Sequence, residues 1–166
     1  MKEFLIVDGY NVINGWPELK ALAQESLEHA RIKLLDILVN YRGVTGWHTI
    51  VVFDAHYVKG YAERNEIYQG IEVIYSRENE TADSVIERFV HLNRDERIYV
   101  VTSDWEEQQI VFGSGACRLS VRQLREDVMQ AEKDIDSRKS SFSMRTLESR
   151  ISEEVRTVME SWRRAK

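Results

Sequence analysis

Apolar residues along the chain follow two patterns, which alternate from one end of the sequence to the other. Short continuous runs occupy residues 4–7, 50–53 and 98–101. Four apolar residues in succession suit a strand that is buried on both faces, as in a parallel sheet. Between these runs, an apolar residue recurs every three or four positions, which indicates amphipathic helices. The alternation predicts an α/β fold with three layers, α/β/α, and a mostly parallel central sheet.

The same patterns place the individual elements. Further strands are predicted at residues 71–75 and 116–119, the latter as a short edge strand. Helix openings are predicted near Pro17 and Ser103, and helical apolar faces run over residues 27–41, 85–90, 121–135 and 144–162. Residues 55–70 carry mixed charge without a clean period, so we expect a long loop there, with at most a short helix.

The predicted domain organisation is simple. Residues 1–135 form one domain, which is long enough to bury a sizeable core. Residues 137–143 are polar, and we expect them to act as a flexible hinge. Residues 136–166 are therefore predicted to contain this hinge and a C-terminal amphipathic helix.

Three strand-like runs each lead to an aspartate. Asp8, Asp54 and Asp104 stand at the ends of the first run, the second run and the run that includes residues 98–101. Gly9 then allows the backbone to turn sharply after the first of these strands. The carboxyl ends of parallel strands share one edge of the sheet, where ligands bind in open α/β folds. We therefore expect the three carboxylates to converge at that edge.

Crowded carboxylates at one edge predict a metal site. Glu80 and Asp83 complete the candidate acidic set, with Asn11 beside it. Two carboxylates about 4 Å apart repel each other by about 4 kcal/mol at an effective dielectric constant near 20. Mg²⁺ or Mn²⁺ removes this repulsion, because such ions prefer carboxylate oxygens and can polarise a water that attacks a phosphodiester. The pattern is typical of metal-dependent nucleases and phosphatases.

Each acidic residue also has a simpler explanation. Asp83 and Asp104 lie at predicted helix N-termini, where the helix dipole favours an acid in any protein. Asp54 can start an Asx-turn, and Glu80 can be a solvated residue of a charged loop. Asp8 is the hardest to explain in this way, since it comes directly off the most apolar strand.

Residues around the acidic set are candidates for binding the substrate. Tyr10 can stack on a base, His56 can orient a water or contact a phosphate, and Asn11 can position a carboxylate or a water. A candidate basic strip along one helix, for RNA phosphates, comprises Arg118, Arg122 and Arg125. A hydrogen-bonded loop histidine and a solvated helix face are the simpler explanations of the histidine and the arginines.

Composition narrows the class of protein. The formal net charge of −5 argues against a protein that coats nucleic acid through bulk charge, but not against an enzyme that acts on it. No apolar run approaches the roughly 20 residues that span a bilayer, and the N-terminus does not resemble a signal peptide. Cys117 is the only cysteine, which suits a reducing cytosol, and we expect it to be a small buried residue. We therefore expect a cytoplasmic protein without a membrane partner.

Several short motifs occur in a characteristic order along the chain. They are Val7–Asn11, Val51–His56 with Val58–Gly60, Glu78–Asp83, Thr102–Asp104 and Phe112–Ala116. Together they resemble the motifs of NYN-domain proteins, which are relatives of the PIN nucleases, and in particular those of the YacP-like branch. The resemblance runs from about residue 3 to residue 135, and the C-terminal helix fits it loosely.

The resemblance implies both a fold and an activity. The fold is a PIN-like α/β/α (NYN) domain, and the activity is an endoribonuclease that cuts mRNA on the ribosome, within the A site. The implied metal site, for Mg²⁺ or Mn²⁺, comprises Asp8, Asp54, Asp83 and Asp104, with Asn11 and Glu80 adjacent. The implied partners are mRNA and the ribosome; we expect no DNA partner, and we expect a monomer.

Two other functions stay open at this point. A non-catalytic adaptor for RNA or the ribosome would keep the fold without turnover, and an assay on ribosome-bound mRNA with and without EDTA separates it from a nuclease. A phosphohydrolase for small molecules would have a closed pocket rather than an open acidic groove, and would act on nucleotides without a polymer.

Overall fold

A sheet of six strands, in the order β3-β4-β2-β1-β5-β6, forms the centre of the fold. A computed structural model of the protein describes residues 2–54, 64–103 and 116–138. The strands are β1 (Glu3–Asp8), β2 (His48–Phe53), β3 (Arg64–Tyr68), β4 (Ile71–Tyr75), β5 (Arg97–Val101) and β6 (Cys117–Leu119). All neighbours are parallel except β3 and β4, which pair antiparallel. This arrangement confirms the predicted mostly parallel sheet.

Helices connect the parallel strands. Those in the described part of the chain are α1 (Gly9–Gly15), α2 (Pro17–Glu25), α3 (Leu27–Thr45), α4 (Ala82–Leu92) and α5 (residues 121–138). Side chains cap four of their N-termini, since Asp8, Ser26, Thr81 and Ser120 accept hydrogen bonds from backbone amides of α1, α3, α4 and α5. Gly46 ends α3 in the left-handed conformation, with φ of 73°.

The two sets of connecting helices cover opposite faces of the sheet. The chain passes through α1, α2 and α3 as it moves from β1 to β2, and through α4 as it moves from β4 back across β1 to β5. These two crossovers run in opposite directions along the sheet. Because crossovers between parallel strands are right-handed almost without exception, the two are expected on different faces. Buried apolar residues of α4 pack against β1, β2 and β5, in a cluster that contains Ile6, Ile50, Val52, Ala82, Val85, Ile86, Val90, Ile98 and Val100.

On the other face, α5 begins against α1 and α2. Trp16 is 1% exposed, and its indole Nε1 donates a hydrogen bond of 2.8 Å to the carbonyl oxygen of Val121. Two nitrogens of Arg125 donate hydrogen bonds of 3.1 Å to the two carboxylate oxygens of Glu18. These contacts fix the first turns of α5 beside the helices that follow β1.

The structure corrects two of the predictions from sequence. Residues 64–68 are a strand, β3, and not part of a long loop. Four of the five residues are exposed, so the sequence of this strand does not show the apolar residues that mark a buried strand. Gln69 and Gly70, with φ of 46° and 90°, form the two-residue turn that joins β3 to β4. Cys117 is exposed rather than buried, because it lies on β6 at the edge of the sheet.

The chain divides into two compact units, residues 1–128 and residues 129–166. The first unit contains the sheet, and the described part of the second, residues 129–138, is helical. Residues 137 and 138, expected in the hinge, belong to this helix. The domain boundary at residue 135 and the C-terminal helix stay predictions, since residues 139–166 lie outside the described part. None of the described helices is both long and apolar enough to cross a membrane.

Candidate active site

Asp8 lies where the order in which strands are added to the sheet changes direction. It is the last residue of β1, which lies between β2 and β5. From β1 the chain proceeds to β2 and β4 on one side, and afterwards to β5 and β6 on the other. Such a switch point opens a crevice at the carboxyl ends of the strands, where open α/β folds bind their ligands. The position of Asp8 therefore agrees with that expected for a site residue.

The Asp8 carboxylate is buried and held by the helix that follows it. Its exposed fraction is 6%, although it ends a strand whose preceding residues Leu5, Ile6 and Val7 are fully buried. Its Oδ1 accepts a hydrogen bond of 3.5 Å from the backbone amide of Asn11, and so caps α1. Burying a charged group is unfavourable without such partners. The local fold therefore maintains a carboxylate where an apolar residue would otherwise be expected.

Asn11 joins Asp8 to the strand on its other side. Its Nδ2 donates a hydrogen bond of 2.7 Å to Oδ2 of Asp8 and one of 3.1 Å to Oγ1 of Thr102. Its Oδ1 accepts a hydrogen bond of 2.9 Å from the Ser103 hydroxyl. Three hydrogen bonds therefore fix the orientation of the amide, and the amide in turn fixes that of the carboxylate.

Thr102 and Ser103 have a role that sequence reasoning missed. They follow directly after β5, and Thr102 is fully buried beside the end of β1. The available signal was their position between an apolar strand and the acidic Asp104. Short hydroxyl side chains at that point suit hydrogen bonds to a neighbouring strand end, which is the role that the structure gives them.

Asp54 lies at the same edge, one strand away. It directly follows β2, and β2 pairs with β1 so that Val52 is opposite Asp8. Its carboxylate is close enough to the Tyr10 hydroxyl to act on that group electrostatically. The structure therefore places Asp8 and Asp54 at the carboxyl ends of the neighbouring strands β1 and β2, and the expected convergence with Asp104 stays a prediction.

The two acidic residues before and within α4 differ in their surroundings. Asp83 lies in the first turn of α4, and the helix begins at the carboxyl edge because Ala82 packs with Ile6 and Val52. Glu80 accepts a hydrogen bond of 2.6 Å from Arg88 Nη1 and another from the backbone amide of Arg77.

Glu80 therefore has a structural explanation that its position in the sequence did not reveal. One of its oxygens is ion-paired with α4 and the other closes the turn before that helix. A metal ion at Glu80 would share this carboxylate with Arg88. Asp83 does not cap α4; Thr81 does, by accepting a hydrogen bond from the backbone amide of Ser84.

The acidic set offers oxygen donors, which are the ligands that Mg²⁺ and Mn²⁺ prefer. Asp8, Asp54 and Asp83 supply them from three elements at the same edge. Within residues 2–54, 64–103 and 116–138, no three His, Cys, Asp or Glu side chains are grouped closely enough to hold an ion by themselves. Two further predicted residues, Asp104 and His56, lie outside these ranges. The described carboxylates are donors of the kind that a hard divalent ion prefers, and the binding of such an ion at this edge stays a prediction.

Tyr10 does not present its ring to a substrate. The side chain is 6% exposed, and its ring packs against Phe53 with 5.1 Å between the ring centroids. A base would need an exposed ring face, so the predicted stacking of Tyr10 on a base is not supported. Its hydroxyl instead accepts a hydrogen bond of 3.2 Å from Nη1 of Arg31.

The candidate basic strip is divided between two elements. Arg118 lies on β6, whereas Arg122 and Arg125 lie on α5, so the three do not share one helix. Arg122 pairs with Glu126 at 3.4 Å, and Arg125 pairs with Glu18. These pairs agree with the simpler explanation of a solvated helix face for the two helical arginines. A contact of Arg118 or Arg122 with RNA stays a prediction.

Buried tyrosines make the stability of the fold sensitive to alkaline pH. Burial is the main cause that raises the pKa of Tyr10, Tyr41 and Tyr75 above the ordinary value of 10.0. Above about pH 10 the unfolded chain loses these protons first, so the free energy of unfolding should fall as pH rises from there through the folded-state values. For each residue, the free energy of unfolding decreases by about 1.4 kcal/mol per pH unit by which its pKa is raised in the folded state.

Urea unfolding at about pH 8 and about pH 11, with tyrosinate absorbance recorded in parallel, measures this effect. Tyr41→Phe removes one of these tyrosines, away from the Asp8 carboxylate, and should reduce the loss of unfolding free energy between the two pH values. If every tyrosine of the folded protein ionised near pH 10, the described burial would be wrong.

Comparisons with known proteins agree with this geometry. The family model for the YacP-like NYN domain matches residues 5–164. The uncharacterized protein YacP of Bacillus subtilis (strain 168) is 43% identical over 166 residues, which cover 98% of this chain and 97% of that protein. The crystal structure of Rae1 (YacP) from Bacillus subtilis matches with a TM-score of 0.75 and 42% identity, over 97% of this chain and 94% of that chain.

The structure of a tryptophan-to-leucine mutant of Rae1 matches with the same TM-score, 0.75, at 41% identity over 86% of this chain and 84% of that chain. Both the resemblance inferred from the motifs and the α/β fold inferred from the patterns are thereby confirmed. The chain belongs to the YacP-like NYN domain family, and its domain is of the nuclease type.

Proposed function

We propose that this protein is a metal-dependent endoribonuclease that hydrolyses phosphodiester bonds in mRNA during translation. The observation that carries the proposal is the buried Asp8 carboxylate at the switch point of the sheet, held by Asn11 at 2.7 Å. A buried and oriented carboxylate at a ligand-binding edge is typical of catalytic or metal-binding sites. The nuclease-type family supports the same class of reaction.

The residues have distinct roles in the proposed reaction. Asp8, Asp54, Asp83 and Asp104 would hold Mg²⁺ or Mn²⁺, and Asn11 would keep the Asp8 carboxylate oriented toward it. A divalent ion at this edge supplies a polarised nucleophile and neutralises charge on the phosphoryl oxygens. Thr102 and Ser103 hold Asn11 through hydrogen bonds of 3.1 and 2.9 Å, so the orientation does not depend on the substrate.

The proposed substrate class rests on the resemblance to this family. The resemblance implies that the RNA is an mRNA on the ribosome, cut within the A site, and we adopt this as part of the proposal. A site built on an open strand edge can receive a polymer, because the chain of the substrate can continue past the reacting phosphate on both sides.

Removal of the metal should abolish the reaction. Purified protein is incubated with translating ribosomes that carry a labelled mRNA, with and without EDTA, and the cleavage products are resolved on a gel. We expect cleavage only without EDTA, and recovery when excess Mg²⁺ or Mn²⁺ is added back. Because EDTA also dissociates ribosomes, a naked RNA substrate serves as the control for that effect.

Three outcomes separate the possible functions. Cleavage that continues in EDTA would contradict metal dependence. Binding to ribosomes without any cleavage would identify an adaptor, and turnover of free nucleotides without cleavage of RNA would identify a small-molecule phosphohydrolase.

A further inference from the structure

Arg31 is a half-buried arginine at the carboxyl edge of the sheet. It lies in the second turn of α3, and its Nη1 donates a hydrogen bond of 3.2 Å to the hydroxyl of Tyr10. Since α3 leads into the amino end of β2, its own N-terminal turns lie at the opposite edge, where Asp8 and Asp54 are found. Arg31 therefore belongs to the surroundings of the candidate active site.

In the described ranges, no carboxylate lies within ion-pairing distance of the Arg31 guanidinium. Five other described arginines, Arg64, Arg88, Arg97, Arg122 and Arg125, each pair with a glutamate at 3.4 Å or less. Arg42 is half-buried and has no such pair in the described ranges, but it lies in the last turn of α3, at the opposite edge of the sheet from Asp8. A partly buried guanidinium that no carboxylate contacts directly keeps N–H donors that an anion can satisfy. The missing partner suggests an anionic ligand.

A row of packed rings fixes the position of this cation. Phe53 stacks on Tyr75 with 5.7 Å between centroids, and Tyr10 packs against Phe53 on its other side. These three side chains are at most 6% exposed, so the Tyr10 hydroxyl is rigidly placed. A hydrogen bond to a rigid hydroxyl orients Arg31 before any ligand binds, which reduces the entropy lost on binding.

The row ends in a second arginine. The guanidinium carbon of Arg64 lies 5.1 Å from the centroid of the Tyr75 ring, and Arg31 is near enough to act on the Tyr75 hydroxyl as well. Arg64 is paired with Glu66 at 2.6 Å, so its charge is already partly compensated. Of the two, Arg31 is the better site for an added anion.

We infer that Arg31, oriented by the Tyr10 hydroxyl, binds a phosphate of the RNA strand next to the phosphate that is cleaved. A guanidinium presents paired N–H donors that match phosphate oxygens, and one without a carboxylate partner can bind phosphate without first breaking an ion pair. Asp54 and Arg31 both act on the same Tyr10 hydroxyl, which places the cation beside the acidic set. This contact rests on the proposed nuclease function, because it takes the substrate to be RNA.

The test separates binding from cleavage. Labelled single-stranded RNA is titrated with Asp8→Asn protein, in which cleavage is expected to be absent, over a series of salt concentrations. Adding Arg31→Gln to this parent should weaken binding about tenfold, and should reduce the slope of log Kd against log salt by about 0.7, the value for one lost phosphate contact on a single strand.

Two variants act as controls for charge and for geometry. Arg94→Gln makes the same change of charge at an exposed position just after α4, at the amino edge of the sheet, and should leave both affinity and slope unchanged. Arg31→Lys keeps the charge but loses the planar fork, so it should restore the slope while recovering only part of the affinity.

The outcomes distinguish this contact from the nuclease function. If Arg31→Gln binds RNA with unchanged affinity and slope, or the parent does not bind RNA at any salt, the phosphate contact is wrong. Cleavage by the otherwise wild-type protein, measured with and without EDTA, judges the nuclease function separately. A loss of thermal stability in Arg31→Gln with unchanged RNA binding would show a purely structural role and would also overturn the inference.

Discussion

Asp8→Asn should abolish RNA cleavage while the fold stays intact. The substitution removes the negative charge from the carboxylate at the centre of the proposed site, so the rate should fall on the order of 10³-fold or more. The fold should persist because asparagine caps helices as well as aspartate does, and its side-chain oxygen can still accept the hydrogen bond that caps α1. Cleavage of labelled RNA gives the rate, and circular dichroism with thermal unfolding reports on the fold.

A matched control comes from the opposite edge of the sheet. Asp95 is exposed in the turn that precedes β5, and Asp95→Asn makes the same chemical change at that position. We expect its cleavage rate to equal that of the wild type. Wild-type activity in Asp8→Asn would remove Asp8 from the mechanism and would contradict the proposed function at its centre.

Gly9→Ala should destabilise the protein strongly, because there is no room for one more methyl group after Asp8. A Cβ at Gly9 would lie 2.3 Å from Cε1 and 2.6 Å from Cδ1 of Phe53, whose side chain is fully buried. Phe53 cannot move aside without displacing Tyr10 and Tyr75, which pack on it. We expect a loss of about 3 kcal/mol, which corresponds to a decrease in Tm of roughly 6–12 °C.

Gly43→Ala is the matched control for Gly9→Ala. Gly43 also lies in a helix, but nothing is within 4 Å of a Cβ built there, so alanine should stabilise α3 by about 0.5–1 kcal/mol. Replacing Phe53 by leucine in the Gly9→Ala protein should recover part of the loss, since it removes the colliding ring atoms. Equal stability of Gly9→Ala and wild type would show that the contact between the start of α1 and the end of β2 is not as described.

Sequence patterns predicted the parts of the site that lie at the ends of apolar strands. Asp8 was identifiable because it ends an apolar run, and buried parallel strands are the elements whose pattern is least ambiguous. Asn11 was expected beside the acidic set, where it would position Asp8 or a water, and in the structure its amide donates a hydrogen bond to the Asp8 carboxylate. The edge shared by Asp8 and Asp54 followed from the parallel arrangement of the strands that precede them.

Other features had no signal in the sequence, for physical reasons. β3 is an edge strand with exposed residues, so it shows neither an apolar run nor an alternation. The pairing of Glu80 with Arg88 is a contact between a turn and a helix, and such polar contacts depend on side-chain geometry. Arg31 looks like any charged residue of an amphipathic helix until the structure shows that its partner is the hydroxyl of Tyr10.

The central claim is that Asp8 binds a catalytic divalent ion at the end of β1. A crystal of the protein soaked in Mn²⁺, with diffraction data recorded where manganese scatters anomalously, tests this claim most directly. We expect an anomalous peak within about 2.5 Å of an Asp8 carboxylate oxygen, and no peak there in an Asp8→Asn crystal soaked in the same way. A wild-type crystal that shows no peak beside Asp8 at saturating Mn²⁺ would contradict the claim.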